Sequence, residues 1–157
     1  MFSYKQLLIV ITLIAIIACC ALIVWAEDIV DMNAIKIIES SGDPKAYNAI
    51  SKARGLYQIT PICLQEWNIN HLREQYNFED LFNAGINSKI ADWYLNYKIP
   101  KYLKFYKIED TTENRIIAYN WGVNNLRKYK MGRTKILPKE TINYISKYKN
   151  FMDFTKK

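Results

Sequence analysis

Leu7 to Ala26 is a run of 20 residues in which Thr12 is the sole polar member. A helix of that length spans roughly 30 Å, the thickness of a bilayer core. It has no polar face to offer solvent, so it does not read as a helix of a globular core. Lys5 precedes the run, and Glu27, Asp28 and Asp31 follow it, which sets the N-terminus inside and the rest outside. The chain therefore divides into residues 1–26, a hydrophobic helix serving as signal peptide or membrane anchor, and residues 27–157, an exported domain of the periplasm or cell envelope. Three readings of the first segment compete. It is an uncleaved anchor, a signal peptide cut after Val24-Trp25-Ala26, or a lipoprotein signal with Cys19 lipidated after Ile16-Ile17-Ala18. Its length exceeds the usual ~7–15-residue signal core, which favours the anchor. The lipoprotein reading is weakest, because Ala21 to Trp25 stays apolar beyond the cysteine.

The exported part has few of the residues that common catalytic schemes need. His71 is the one histidine of the chain, so serine and cysteine triads require it, and zinc sites with several histidines are ruled out. Cys63 is the one cysteine after the apolar run and reads as a small buried hydrophobe. Gly and Pro total 5 + 4 = 9, too few for a many-turned β-sandwich. The periodicity is helical instead. Val30, Ala34, Ile37 and Ile38 form a stripe within Ile29 to Glu39. Thr60-Pro61 starts a helix to about Trp67. Phe82 to Tyr97 is helical, with Pro100 expected to end or kink it. Thr111 or Thr112 caps another helix, and Pro138 to Met152 forms the last. Arg54 to Ile59 alone reads as extended. The expectation is a compact, mainly α domain.

Charge is uneven. Glu27 to Asp92 holds 6 basic and 10 acidic residues, whereas Trp93 to Lys157 holds 15 basic and 5 acidic. An exported chain has little use for nucleic acid, so none is expected as a partner. The basic half reads equally as a solvated face or as a surface for anionic wall polymer or membrane head groups.

Three of the five glycines fall in short polar-aromatic patches: Gly42 in Glu39-Ser40-Ser41-Gly42-Asp43-Pro44, Gly55 in Ala53-Arg54-Gly55-Leu56-Tyr57-Gln58, and Gly122 in Ala118-Tyr119-Asn120-Trp121-Gly122. Glycine at a helix end allows positive φ or close approach of the backbone to a ligand. Glu39 closes an apolar helix, so its carboxyl can enter a partly apolar cleft. Burial there raises a carboxyl pKa and keeps a proton at hand, which is what a general acid needs.

These patches, with Asn87 and Tyr94-Leu95 and with Glu140-Thr141-Ile142-Asn143-Tyr144-Ile145, follow one another in the order found in the catalytic domain of the soluble lytic transglycosylases. The stretch from about Ile29 to Lys149 resembles that family, whose fold is related to goose-type lysozyme. Two positions depart from the family's pattern: Tyr57 stands for the usual Met, and Trp121 for the usual Ala. Both are expected to bring bulk to the cleft wall.

The resemblance implies a lysozyme-like helical fold and peptidoglycan glycan strands as substrate. It implies Glu39 as the single catalytic acid and base, with Tyr119 orienting its carboxyl through the hydroxyl. Ser40 would sit behind Glu39 or touch a substrate acetamido group. Gln58 would hydrogen-bond the substrate, and Asn120, Glu140 and Tyr144 would line the groove. No metal or cofactor is implied. The bond broken would link N-acetylmuramic acid to N-acetylglucosamine, with closure of a 1,6-anhydro ring. A hydrolytic muramidase would need a second carboxylate across the cleft. Asp43 and Asp92 are the nearest candidates, yet they read as a turn residue and a helix-surface charge. His71 reads as a surface residue. A wall-binding module without activity is the remaining alternative, as is service to a secretion or conjugation machine.

Overall fold

The computed structural model describes residues 29–155, so the hydrophobic segment and its three readings lie outside the described residues. Helix α1 spans Met32–Ser40, α2 Pro61–Asn70, α3 Ala84–Trp93, α4 Ile99–Phe105, α5 Thr112–Trp121, α6 Val123–Lys130 and α7 Lys139–Thr155. Among the described residues there is no strand, only the isolated bridges Tyr47↔Arg54 and Arg54↔Ile59. The mainly α, lysozyme-like expectation holds.

Short polar side chains start α1, α2, α3 and α5 by taking up free backbone N–H groups. Asp31 accepts from Ala34 N at 3.0 Å, Thr60 from Cys63 N at 3.3 Å, and Thr111 from Asn114 N at 3.2 Å. Asn83 does the same for Gly85 and Ile86, so α3 begins at Ala84 rather than Phe82.

Pro100 neither ends nor breaks the helix that precedes it. A π turn over Tyr94–Lys98 joins α3 to α4, and Pro100 stands at the second position of α4. The Ile99 N–H bonds back to Tyr94 O. A proline so near a helix start gives up a donor that α-helical bonding leaves unused there. Helix α6 is not foreseen by the sequence pattern; Gly122, at φ 89°, turns the chain between α5 and α6.

Helix α5 is the centre of the domain, touching α4, α6, α7 and the π turn. Ile116, Ile117 and Ala118 bury its inner face, against Leu95, Ile99, Leu103 and Leu126. Helix α7 closes over α1 and α5. The Tyr148 hydroxyl accepts the Asp31 N–H at 2.8 Å, tying the last helix to the start of the first. The consequence is that the C-terminal end of α1, with Glu39, faces residues from α5 and α7.

Candidate active site

Glu39 sits in the last turn of α1, which stops at Ser41 in a left-handed conformation (φ 55°). The Ser40 hydroxyl donates to Leu56 O at 2.8 Å and accepts from Gly42 N at 3.2 Å. That hydroxyl pins the helix end to the following loop. The hydroxyl is thus engaged with backbone groups.

The loop after it is closed on itself. Arg54 N donates to Ile59 O at 3.1 Å, and Ile59 N to Arg54 O at 3.0 Å. The stretch read as extended is thus a tight four-residue loop. Asn87, fully buried on α3, fills it: Nδ2 donates to Arg54 O and Leu81 O, each at 2.8 Å, and Oδ1 accepts from Tyr57 N at 2.9 Å. A Cβ at Gly55 would come within 2.3 Å of both Asn87 Nδ2 and Leu81 O, and its φ is 77°. Only glycine fits there.

Gln58 leaves the loop at φ 48°, and its Nε2 donates to Gly55 O at 3.1 Å and Ala46 O at 3.3 Å. It lines a concavity of about 410 Å³ together with Glu39, Tyr94, Tyr119, Asn120, Trp121 and Glu140. A second concavity of about 470 Å³ is lined by Glu39, Asn120, Glu140, Asn143, Tyr144 and Lys147. The two share Glu39, Asn120 and Glu140, so the carboxyl stands where they meet. Of the two departures from the family's pattern, Trp121 lines this groove, its ring edge-on to Tyr129 at 6.4 Å. Tyr57 does not: its side chain is buried in the core, and the expectation that it narrows the cleft is corrected.

The Glu39 carboxyl is pushed up from 4.5 to about 7, chiefly by burial and further by the nearby Glu140. The Tyr144 hydroxyl, donating to Glu39 Oε1 at 2.7 Å, and Lys147 pull it down. Near neutrality the group therefore exists in both protonation states, the condition for giving and taking one proton.

Tyr119 differs from its expected role. Its hydroxyl donates to Tyr57 O at 2.6 Å, so it braces the glycine loop, while the hydroxyl on Glu39 belongs to Tyr144. Both tyrosines are held well above the usual phenol range by burial and by the charge of Glu39, and remain donors. Asn120 Oδ1 accepts from Thr141 Oγ1 at 2.9 Å, which joins α5 to α7 at the groove.

The second carboxylate of the groove is Glu140, not Asp43 or Asp92. Asp43 caps its own turn through Lys45 N at 2.8 Å, and Asp92 is exposed on α3, accepting from Asn96 Nδ2 at 2.8 Å. Lys147 was missed although a signal exists: Glu140, Tyr144 and Lys147 fall at helical spacing on one face of α7. His71 is also more than a surface residue. It ends α2 and stacks on Trp67 at 3.7 Å, with Trp93 edge-on at 5.1 Å. Cys63 is buried, as expected, and burial pushes its thiol far up.

A family model of the transglycosylase SLT domain matches residues 28–142. Glu39, Ser40, Gln58, Tyr119, Asn120 and Glu140 lie within the match; Tyr144 and Lys147 follow it. No curated protein and no solved structure matches the chain.

Proposed function

The chain belongs to the transglycosylase SLT domain family, whose members act on peptidoglycan, and from that premise we propose that it is a lytic transglycosylase in which Glu39 is the single general acid and base. The observation that carries this reading is the position of Glu39: a partly buried carboxyl raised to about 7, hydrogen-bonded by Tyr144, where the two concavities meet.

Protonated Glu39 gives its proton to the oxygen between N-acetylmuramic acid and N-acetylglucosamine. The substrate's 2-acetamido group stabilises the developing cation. Glu39, now a carboxylate, takes the proton from the muramic C6 hydroxyl, and that oxygen attacks C1 to close the 1,6-anhydro ring. Attack within one sugar is favoured by proximity over attack by water. Gln58, Asn120, Glu140 and Tyr144 hold the strand, and Tyr119 acts at one remove by bracing the loop that carries Gln58. Residues 27–157 form the catalytic domain. Residues 1–26 export it as signal or anchor and place it in the periplasm or cell envelope, where it opens the wall locally for a secretion or conjugation machine.

Glu140 gives a second reading some ground, since a second carboxylate in the groove is what a hydrolytic muramidase uses to activate water. Products decide between them. An anhydro end is lighter than a hydrolysed end by one water, and mass spectrometry of digested sacculi reads the difference. The expected result is anhydro-muramic ends, with cleavage by Glu39→Gln reduced by roughly 10⁴-fold or more. Reducing ends move the reading to hydrolysis, and undiminished cleavage by Glu39→Gln removes Glu39 from the mechanism.

A further inference from the structure

Between Gly122 and Glu140 the chain carries Arg127, Lys128, Lys130, Arg133, Lys135 and Lys139 and no acidic residue. All but Arg127 are exposed. Arg127 lies 4.9 Å from the Tyr106 ring. The ion pairs of the described residues are Arg54–Glu79, Lys89–Glu74, Lys98–Glu66, Arg115–Asp110 and Lys149–Glu113, and none of the six takes part. A run of like charges without counter-ions repels itself, and a bound anion relieves that repulsion.

Position supplies the second argument. The segment leaves the groove at Trp121 and Gly122 and returns to it at Glu140. Within it, Tyr129 packs against Trp121. The segment that bears the cations is thus joined to the groove wall at both ends and through Tyr129.

A peptidoglycan strand has an uncharged sugar backbone, but each muramic residue bears a short peptide with free carboxylates. A strand lying in the groove presents those carboxylates at its edge. We propose that residues 127–139 form a cationic rim that binds the peptide carboxylates of the strand in the groove, so that peptide-bearing strands are cleaved in preference to bare ones. The proposal rests on the function argued above. Met131 and Ile136 are exposed among the same cations, a mixture that would also suit an anionic lipid surface. Continuity with the groove favours the strand.

The test uses the full-length protein in detergent and two substrates: glycan strands with their peptides, and the same strands freed of peptide by an amidase. The expected result is a kcat/KM roughly tenfold higher for the peptide-bearing strand at low salt, shrinking as salt screens the charges. Combined Lys128→Gln, Lys130→Gln, Arg133→Gln and Lys135→Gln should bring the ratio toward one, whereas Lys45→Gln with Lys89→Gln should keep it. Equal cleavage of both strands by the parent protein overturns the proposal without any variant. So does a fourfold variant that keeps its strand preference but no longer binds vesicles of anionic phospholipid, since the rim then serves lipid. If neither strand is cleaved, it is the proposed activity that fails, and binding of the Glu39→Gln protein to the two strands still decides for or against the rim.

Discussion

The Tyr144 hydroxyl reaches Glu39 Oε1 at 2.7 Å across 105 positions of sequence. That bond favours the carboxylate, while burial favours the acid and outweighs it. Tyr144→Phe removes only the hydroxyl, so Glu39 should titrate above its present value of about 7. Activity that needs protonated Glu39 falls as pH rises, and in the variant that fall should move to higher pH. A pH profile of cleavage checks this. An unmoved limb with reduced activity would mean that Tyr144 serves the substrate and not Glu39.

Glu39 should also carry a pH-dependent stability cost. Its folded value of about 7 lies above its ordinary 4.5. At low pH the carboxyl is protonated in both folded and unfolded chains and its burial costs nothing of this kind. As pH rises from 4.5 to about 7 the unfolded chain ionises first, so stability falls, and beyond that the loss is constant. The full difference is roughly 3 kcal/mol. Glu39→Gln should therefore be more stable than the parent at pH 8, by up to that amount, and similar to it at pH 4. Urea midpoints at the two pH values measure it.

Tyr119→Phe should lower stability by about 0.5–1.5 kcal/mol, because Tyr57 O loses its donor at a partly buried position. Activity should fall modestly, through the loop that holds Gln58, with the pH profile unmoved. A shifted profile would bring Tyr119 back into contact with the Glu39 proton.

Gly55→Ala should be among the most damaging single changes, costing several kcal/mol or preventing folding. The added methyl meets Asn87 Nδ2 and Leu81 O at 2.3 Å, and the backbone there is left-handed. Thermal unfolding and expression of the variant report it. A normally stable Gly55→Ala protein would show that the loop can reopen without loss.

The helices with polar caps and apolar stripes were legible in the sequence because capping and amphipathic spacing are local. Thr60 and Thr111 mark their helices directly, whereas Asp31 falls inside the stripe read from Ile29 and caps a helix that begins at Met32. The place of Glu39 was legible too, since the glycine turn at Ser41-Gly42 marks the end of its apolar helix. Which tyrosine touches it was not legible, since that depends on how α7 docks on α1, a tertiary fact with no local trace. The same holds for Tyr57, whose ring turns into the core while its carbonyl faces Tyr119. Helix α6 was hidden by its charge: Val123-Asn124-Asn125-Leu126-Arg127-Lys128-Tyr129-Lys130 buries only Val123 and Leu126.

Ala91, Leu95, Ile99 and Leu103 fall at strict steps of four, and all are fully buried. In an unbroken α-helix such steps drift by about 40° each, which would turn Leu103 well away from Ala91. The π turn winds more slowly and takes up the drift, so it acts as a place where one supernumerary residue is stored without changing the face presented on either side. Insertions and deletions should then follow a different rule here than in the other helices. Dropping one residue from Tyr94–Lys98 keeps Ile99 and Leu103 indoors but sets Pro100 inside a helix, which costs about 3 kcal/mol, whereas dropping one from α5 swings half of its buried face into water.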